Sequence, residues 1–261
     1  VGHNHEVIFT VGTVTGPSDQ LRFYGLMQHP ESLAEVRFDD GTVWRGSEIF
    51  ERIGGVLGLD TNGTSVEHLR GLATGGIILG LGGNDHLRGS DFDDLLDGGE
   101  GQDIMQGGHG DDVYIVDHVG DLVGEGLGSG WDRVESSVRY TLTEGVEELR
   151  LTGSADIQGT GNALDNVLIG NGANNVLRGL DGNDRLEGAA GDDVLIGGAG
   201  NDVYVYRSGH GADVIDNRGG GQDEVHYADI AQDRLSFHRV GDDLVMQVDG
   251  DLGQQIRERG V

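Results

Sequence analysis

GGEGQDIMQ, residues 98–106, runs directly into GGHGDDVYI, residues 107–115. Both nonapeptides carry glycine at positions one, two and four, aspartate at six and a bulky apolar residue at eight. A pattern that restarts every nine residues is the mark of a solenoid, in which short units stack and bury a shared core. Upstream, Leu69, Ile78, Leu87 and Leu96 lead at the same spacing to Met105 and Tyr114. Two residues before each of the six stand Glu67, Gly76, Asp85, Asp94, Asp103 and Asp112, so the apolar register starts before the acidic one. Glu67 and Gly76 are therefore expected in entry turns that carry little or no metal. The period resumes downstream at Gly161, with Leu168, Leu177, Leu186, Leu195 and Tyr204 in the apolar place. Asn166, Asn175, Asp184, Asp193 and Asp202 precede them by two. Ser208 to Ile215 repeats the turn once more, two residues late, with Asp213 in the acidic place.

Composition agrees with a thin, turn-rich architecture. The 261 residues include 50 glycines against two prolines, and only 5% are aromatic, which is poor material for one large globular core. The formal net charge of -29 sets the chain against itself unless cations neutralise part of it, and it argues against nucleic acid or an anionic membrane as partner. Cysteine is absent, which excludes disulfides and thiolate metal sites. No apolar run has the length of a membrane span, and the opening residues lack the basic and apolar regions of a signal peptide. The chain opens on Val1 and is expected to be an excised piece of something longer.

The spacing divides the chain into five parts. Residues 1–58 read as a β-rich flanking segment with strands at Val7 to Val11 and Leu21 to Tyr24. It continues with a hairpin in Val36 to Trp44 that turns at Asp40 and Gly41, and a short helix from Ser47 to Ile53. Residues 59–117 form a first roll, 118–158 a strand-like connector, 159–215 a second roll, and 216–261 a partial hairpin segment turning around Gly241, Asp242 and Asp243. The expected fold is all-β: two right-handed parallel β-rolls flanked by small hairpin caps. Leu87, Leu96, Met105, Leu186 and Leu195 are expected to face inward. Leu95, Val113, Ile115, Val176, Val194 and Ile196 flank them and are expected to point outward.

The acidic register has its own chemistry. A six-residue turn and a three-residue strand make one nonapeptide, so two make a coil and positions eighteen apart stack at strand spacing, about 4.8 Å. Facing carboxylates and the carbonyl oxygens of glycine turns then form a shell of hard oxygens, which calcium prefers at six to eight ligands. Glycine is required because the turn uses positive φ and close backbone approach. The predicted pairs are Asp85 with Asp103, Asp94 with Asp112 and Asp184 with Asp202. Asn166 with Asp184 and Asn175 with Asp193 are weaker by one charge, and Asp193 with Asp213 requires a two-residue insertion to be absorbed. Gly83, Gly99, Gly101, Gly108, Gly110, Gly182, Gly191, Gly198 and Gly200 are the turn glycines expected to contribute carbonyl oxygens. Several calcium ions in two clusters are expected. Leu81 and Leu180 replace the second glycine, and Phe92 replaces a fourth-position glycine, where it is expected to strain the Asp94 turn.

These repeats resemble the repeats-in-toxin (RTX) family of bacterial proteins exported by type I secretion. The flanks, through VRFDDGTVW and GDDLVMQV, are similar to the β-rich haemolysin-type segments that accompany such arrays. HEVIFTVG and DDLVMQVDG look like the same hairpin strand, as in a fragment cut from a tandem array. The resemblance implies an extracellular, secreted bacterial protein whose repeats pass the type I secretion machinery unfolded and fold outside on calcium. On that reading the chain is a structural, secretion-assisting part of a larger toxin, adhesin or exoenzyme. The rival reading is a calcium-dependent adhesin module that binds a glycan or ice or associates with itself through the outward apolar stripes.

An enzymatic reading lacks its residues. His5 and Glu6 begin a zinc-protease motif that fails at Phe9, and no GxSxG occurs. Some relatives cleave themselves at an Asp-Pro bond, but both prolines here follow Gly16 and His29. No catalytic residue is therefore assigned.

Overall fold

The computed structural model describes residues 75–125 and 130–259, and the backbone of Glu6–Thr10, Gln20–Tyr24, Glu35–Arg37, Val43–Arg45 and His68–Arg70. Among the described residues there is no α-helix. The helix expected over Ser47 to Ile53 lies outside them. In the flank, Glu6–Thr10 pairs antiparallel with Gln20–Tyr24, and Glu35–Arg37 with Val43–Arg45.

One face of the solenoid is a nine-stranded parallel sheet. Its strands, in spatial and chain order, are Ile77–Leu79, Leu95–Asp97, Val113–Val116, Arg133–Ser136, Glu148–Leu151, Val167–Ile169, Arg185–Glu187, Val203–Tyr206 and Glu224–Tyr227. The expected separation into two rolls gives way here to one continuous sheet. Arg133–Ser136 and Glu148–Leu151, which the sequence reading took for a connector, pair with Val113–Val116 on one side and Val167–Ile169 on the other. Paired residues give successive coil lengths of 18, 18, 20, 15, 19, 18, 18 and 21. The sequence period vanishes between the two arrays because coil length changes there. The ladder of hydrogen bonds does not.

A column of apolar side chains holds this face to the other. Ile78, Leu96, Tyr114, Val134, Leu149, Leu168, Leu186 and Tyr204 stack along the sheet, and all are buried. Alternation explains the column: in a three-residue strand only the middle side chain points inward. Leu87, Met105, Leu177, Leu195 and Ile215 fill the opposite side and are also buried. The flanking Leu95, Val113, Ile115, Val176, Val194 and Ile196 are half-buried. Tyr114 and Tyr204 serve both as core and as turn clamps. Their hydroxyls accept the N–H groups of Gly107 at 2.6 Å and Gly197 at 2.9 Å.

The second face is interrupted. His68–Arg70, His86–Arg88, Ile104–Gln106 and Leu122–Gly124 form a four-stranded parallel sheet. An eight-stranded sheet begins at Tyr140–Thr141 and continues through Gln158–Thr160, Val176–Asp181, Val194–Ala199 and Ala212–Asp216. The coil that carries Tyr140–Thr141 is shortened to 15 residues, and this strand pairs with Gln158–Thr160 but not with Leu122–Gly124. The Tyr140 hydroxyl instead accepts the Val123 N–H at 3.3 Å. An open cleft of about 310 Å³ lies along this seam, lined among others by Val119, Leu122, Arg139, Tyr140 and Gln158.

The carboxyl-terminal segment joins the solenoid. Leu235–Val240 and Asp243–Val248 form the expected hairpin, with Gly241 at φ 67° in its turn. Asp251–Arg259 then returns antiparallel to Asp243–Val248 and docks parallel on Ala212–Asp216, which extends the eight-stranded sheet. Ile256 is buried in that contact.

Candidate metal centres

The acidic residues two before each core position turn inward and stack in columns at the ends of the strands. Asp85, Asp94, Asp103, Asp112, Asp184, Asp193, Asp202 and Asp213 are all at most 3% exposed, as are Asn166 and Asn175. One hydrogen bond repeats through every column. In it, a side-chain oxygen of an aspartate accepts the backbone N–H of its equivalent one coil earlier. Asp103 accepts from Asp85 at 2.7 Å, Asp112 from Asp94 at 2.7 Å, Asp184 from Asn166 at 2.8 Å, Asp193 from Asn175 at 2.7 Å and Asp202 from Asp184 at 2.9 Å. Asp213 accepts from Asp193 at 3.1 Å, so the two-residue insertion before it is absorbed in the turn.

The structure extends these columns to residues that the sequence reading missed. Asp121 accepts from Asp103 at 3.1 Å, Asp132 from Asp112 at 2.8 Å, Glu147 from Asp132 at 2.9 Å and Asp223 from Asp202 at 2.8 Å. A signal for all four was present: each stands two before an apolar residue, Val123, Val134, Leu149 and Val225. Asp121 even keeps the regular spacing from Asp103. The constant interval between acid and apolar residue was the better guide than the nine-residue period.

A second ladder runs on the exposed side of the turns, in the opposite direction. There the side-chain oxygen accepts from one coil later: Asp93 from the Asp111 N–H at 2.9 Å, Asn174 from Asp192 at 2.8 Å and Asn183 from Asn201 at 2.9 Å. The two ladders hold each turn to both neighbours. Asn183→Ala removes one such acceptor and is expected to lower stability by about 1 kcal/mol, measured by denaturant titration.

Most inner aspartates have one satisfied oxygen and one that is not, whereas both oxygens of Asp121 accept backbone N–H groups. Oδ2 of Asp103, Asp112, Asp132, Asp184, Asp193, Asp202 and Asp213 is buried without a hydrogen-bond partner. A buried, unpaired carboxylate costs several kcal/mol, so a column of them calls for protons or cations. Burial pushes the carboxyl pKa values up: to about 6 for Asp103 and Asp132, about 7 for Asp112, Asp184 and Asp193, and about 8 for Asp213. Backbone N–H donation opposes the shift, and neighbouring carboxylates add to it.

The glycine turns shape the space around these oxygens. A Cβ on Gly98 would lie 2.3 Å from Asp103 Oδ2, and one on Gly197 would lie 2.0 Å from Asp202 Oδ2. The first glycine therefore leaves room for the carboxylate of its own turn. The fourth faces the preceding coil: a Cβ on Gly101 would lie 1.4 Å from the Gly83 carbonyl oxygen, and Gly101 has φ 152°. All nine glycines expected to offer carbonyl oxygens have positive φ. Leu81, Leu180 and Ala189 adopt it too, at 71°, 88° and 69°, in the second-glycine place. Phe92 does not, so the expected strain at that turn is absent. Ser90 takes over, accepting the Phe92 N–H at 3.2 Å and donating through its hydroxyl to Asp94 Oδ2 at 2.9 Å.

Asn166 and Asn175 occupy their columns differently. Asn166 Nδ2 donates to the Val146 carbonyl at 3.2 Å, and Asn175 Nδ2 to the Ile157 carbonyl at 3.2 Å. Each fills its gap with a donor and satisfies the carbonyl above it. The orphaned oxygens named above all belong to aspartates. The donors around the all-aspartate gaps are carboxylate and carbonyl oxygens, and the set fits calcium.

The model of the RTX calcium-binding nonapeptide repeat family matches residues 79–114, 160–194, 169–204 and 178–214. The chain carries RTX repeats. Such RTX repeats form structural, calcium-binding solenoid modules typical of secreted bacterial proteins. Among solved structures, the RTX chain is similar to the extracellular lipase LipA from Serratia marcescens, at 20% identity and a TM-score of 0.24. The alignment covers 71% of this chain and 40% of that one, so the chain spans well under half of the lipase's length. No curated protein sequence matches. Among the described residues, no helix is long and apolar enough to cross a membrane.

Proposed function

We propose that this RTX chain is a calcium-triggered folding module of a larger extracellular protein, exported unfolded by a type I machinery and folded outside the cell. The observation that carries this reading is the row of buried carboxylate oxygens without hydrogen-bond partners, repeated from coil to coil. In a calcium-poor cytosol the carboxylates repel one another, and short strands with one inward side chain each do little to offset chain entropy. Outside, every bound ion stabilises the folded state by RT ln(1 + [L]/Kd). Extracellular calcium modules need a Kd of only about 10⁻⁴ to 10⁻³ M. Asp85, Asp94, Asp103, Asp112, Asp184, Asp193, Asp202 and Asp213 are the assigned carboxylate ligands, with glycine carbonyls from the stacked turns. Asp121, Asp132, Glu147 and Asp223 extend the assignment.

The module's role is mechanical: it delays folding until after export and then spaces the parts of its parent. Circular dichroism tests it. A chelated chain is expected to be largely disordered near neutral pH and to gain β structure cooperatively as calcium reaches the millimolar range. Identical spectra in chelator and in calcium overturn the proposal.

A further inference from the structure

Between the strands Leu122–Gly124 and Arg133–Ser136 stand two acids that meet a third from the coil before, a group larger than the repeat explains. Oxygens of Asp112, Glu125 and Asp132 lie within 4.8 Å of one another. Asp112 and Asp132 are equivalent residues of successive coils, joined by the Asp112 N–H to Asp132 Oδ1 bond at 2.8 Å. Glu125 is the addition. It follows the strand Leu122–Gly124 directly and so opens the turn that ends at Asp132, a place held by Gly98 or Gly107 in the regular turns. In those turns a side chain is excluded, since a Cβ on Gly107 would lie 2.0 Å from Asp112 Oδ2. The coil that contains Glu125 is 20 residues long where its two predecessors have 18. This longer coil carries a carboxylate at the first position of its turn, where the regular turns have glycine.

We propose that Asp112, Glu125 and Asp132 form a three-carboxylate site for a hard divalent cation of the calcium class, tighter than the two-carboxylate gaps and filled before them. Two observations beyond the acidity of the group point to a ligand. Asp112 is 1% exposed and Asp132 0%, and Oδ2 of each is buried with no hydrogen-bond partner. Three oxygens no more than 4.8 Å apart share a centre no more than about 2.8 Å from each. Calcium, which binds oxygen at about 2.3–2.6 Å, needs only a small contraction of this triangle, whereas magnesium at about 2.0–2.1 Å needs a large one. Affinity in oxygen sites rises with the number of carboxylates, and this site has one more than its neighbours. Its position gives the first ion a structural consequence. It ties the coil of Ile104–Gln106 and Val113–Val116 to the coil of Leu122–Gly124 and Arg133–Ser136, the last two coils before the four-stranded sheet ends.

The site rests on the calcium reading for its comparison with the other gaps, and the test separates the two. Calcium titrations by calorimetry on the full chain are expected to show a tight phase of one equivalent followed by weaker phases. Glu125→Gln is expected to weaken the first phase about tenfold and leave the later ones in place, whereas Asp202→Asn changes the later phases and leaves the first. Trp131, which precedes Asp132 and is half exposed, is expected to change its fluorescence over the first equivalent. Circular dichroism at saturating calcium verifies that Glu125→Gln folds. If it does not, Glu125→Asp, which keeps the charge, carries the test, and a tight phase weakened with the later phases intact is expected. A titration of either folded variant that superimposes on the parent's, with several equivalents still bound, overturns the three-carboxylate site and leaves the calcium array standing. A parent that binds one equivalent only, lost in Glu125→Gln, does the reverse.

Discussion

Lowering the pH from about 8 to about 5.5 is expected to fold the calcium-free chain. Asp103, Asp112, Asp132, Asp184, Asp193 and Asp213 have folded-state pKa values of about 6 to 8, raised above the ordinary carboxylate value by burial. A group whose folded pKa lies above its unfolded one binds its proton more tightly in the native state. Its contribution to stability is fully present below the unfolded value, about 3.9 for aspartate, and is lost as pH rises through the folded value. The window in which stability fades is therefore about pH 4 to 8, opposite in sign to a salt-bridged aspartate. At pH 5.5 the chain still lies above its isoelectric point of about 4.3, so folding can be followed without precipitation. Circular dichroism of the chelated chain should gain β signal on acidification, reversibly. Calcium competes with protons for the same oxygens, so the apparent calcium affinity of the folded chain should fall as the pH is lowered over the same interval. A chelated chain whose spectrum does not change between these pH values contradicts the assignment of the buried carboxylates.

The paired substitution Asp184→Asn with Asp202→Asn is expected to change stability in opposite directions in the two conditions. These residues share a column with Asn166 and Asp223 and border three successive gaps. With calcium tenfold above its Kd, each occupied gap contributes about 1.4 kcal/mol, so emptying the two all-aspartate gaps costs about 3 kcal/mol. Without calcium the same change removes two buried charges whose Oδ2 atoms lack partners, and the chain should be more stable than its parent. Asn166 and Asn175 show how an amide fits here: each donates to a carbonyl of the neighbouring coil and accepts from its own turn. Denaturant titrations in chelator and in calcium measure both signs. Destabilisation in both would mean that the carboxylates serve only as hydrogen-bond acceptors.

This sign reversal bears on why the array uses two kinds of turn. Asparagine at 166 and 175 follows the shortened coil, where stacking is least regular. Gaps closed by protein hydrogen bonds give that region a part that holds without an ion. On the proposed calcium reading, the all-aspartate gaps on either side are the part expected to respond to the ion.

Much of the site was legible in the sequence because it depends on intervals of a few residues. The placement of Leu186 inward, Asp184 two before it and Gly179 at the head of the turn follows from alternation in a three-residue strand and from the space a carboxylate needs over a glycine. These are local requirements, and every regular turn states them again. They predicted the buried columns, the stacking of Asp184 on Asp202 and the late return of the pattern at Asp213.

Continuity of the solenoid through residues 118–158, the membership of Asp121, Asp132, Glu147 and Asp223 in the columns, and the approach of Glu125 to Asp112 were decided only by the tertiary structure. The physical reason is that strand pairing is made by backbone groups, which any residue supplies, so a coil of 20 or 15 residues stacks on one of 18 without leaving a period behind. Sequence spacing reports coil length. Hydrogen bonding between neighbouring coils decides what stacks on what, and where three carboxylates meet.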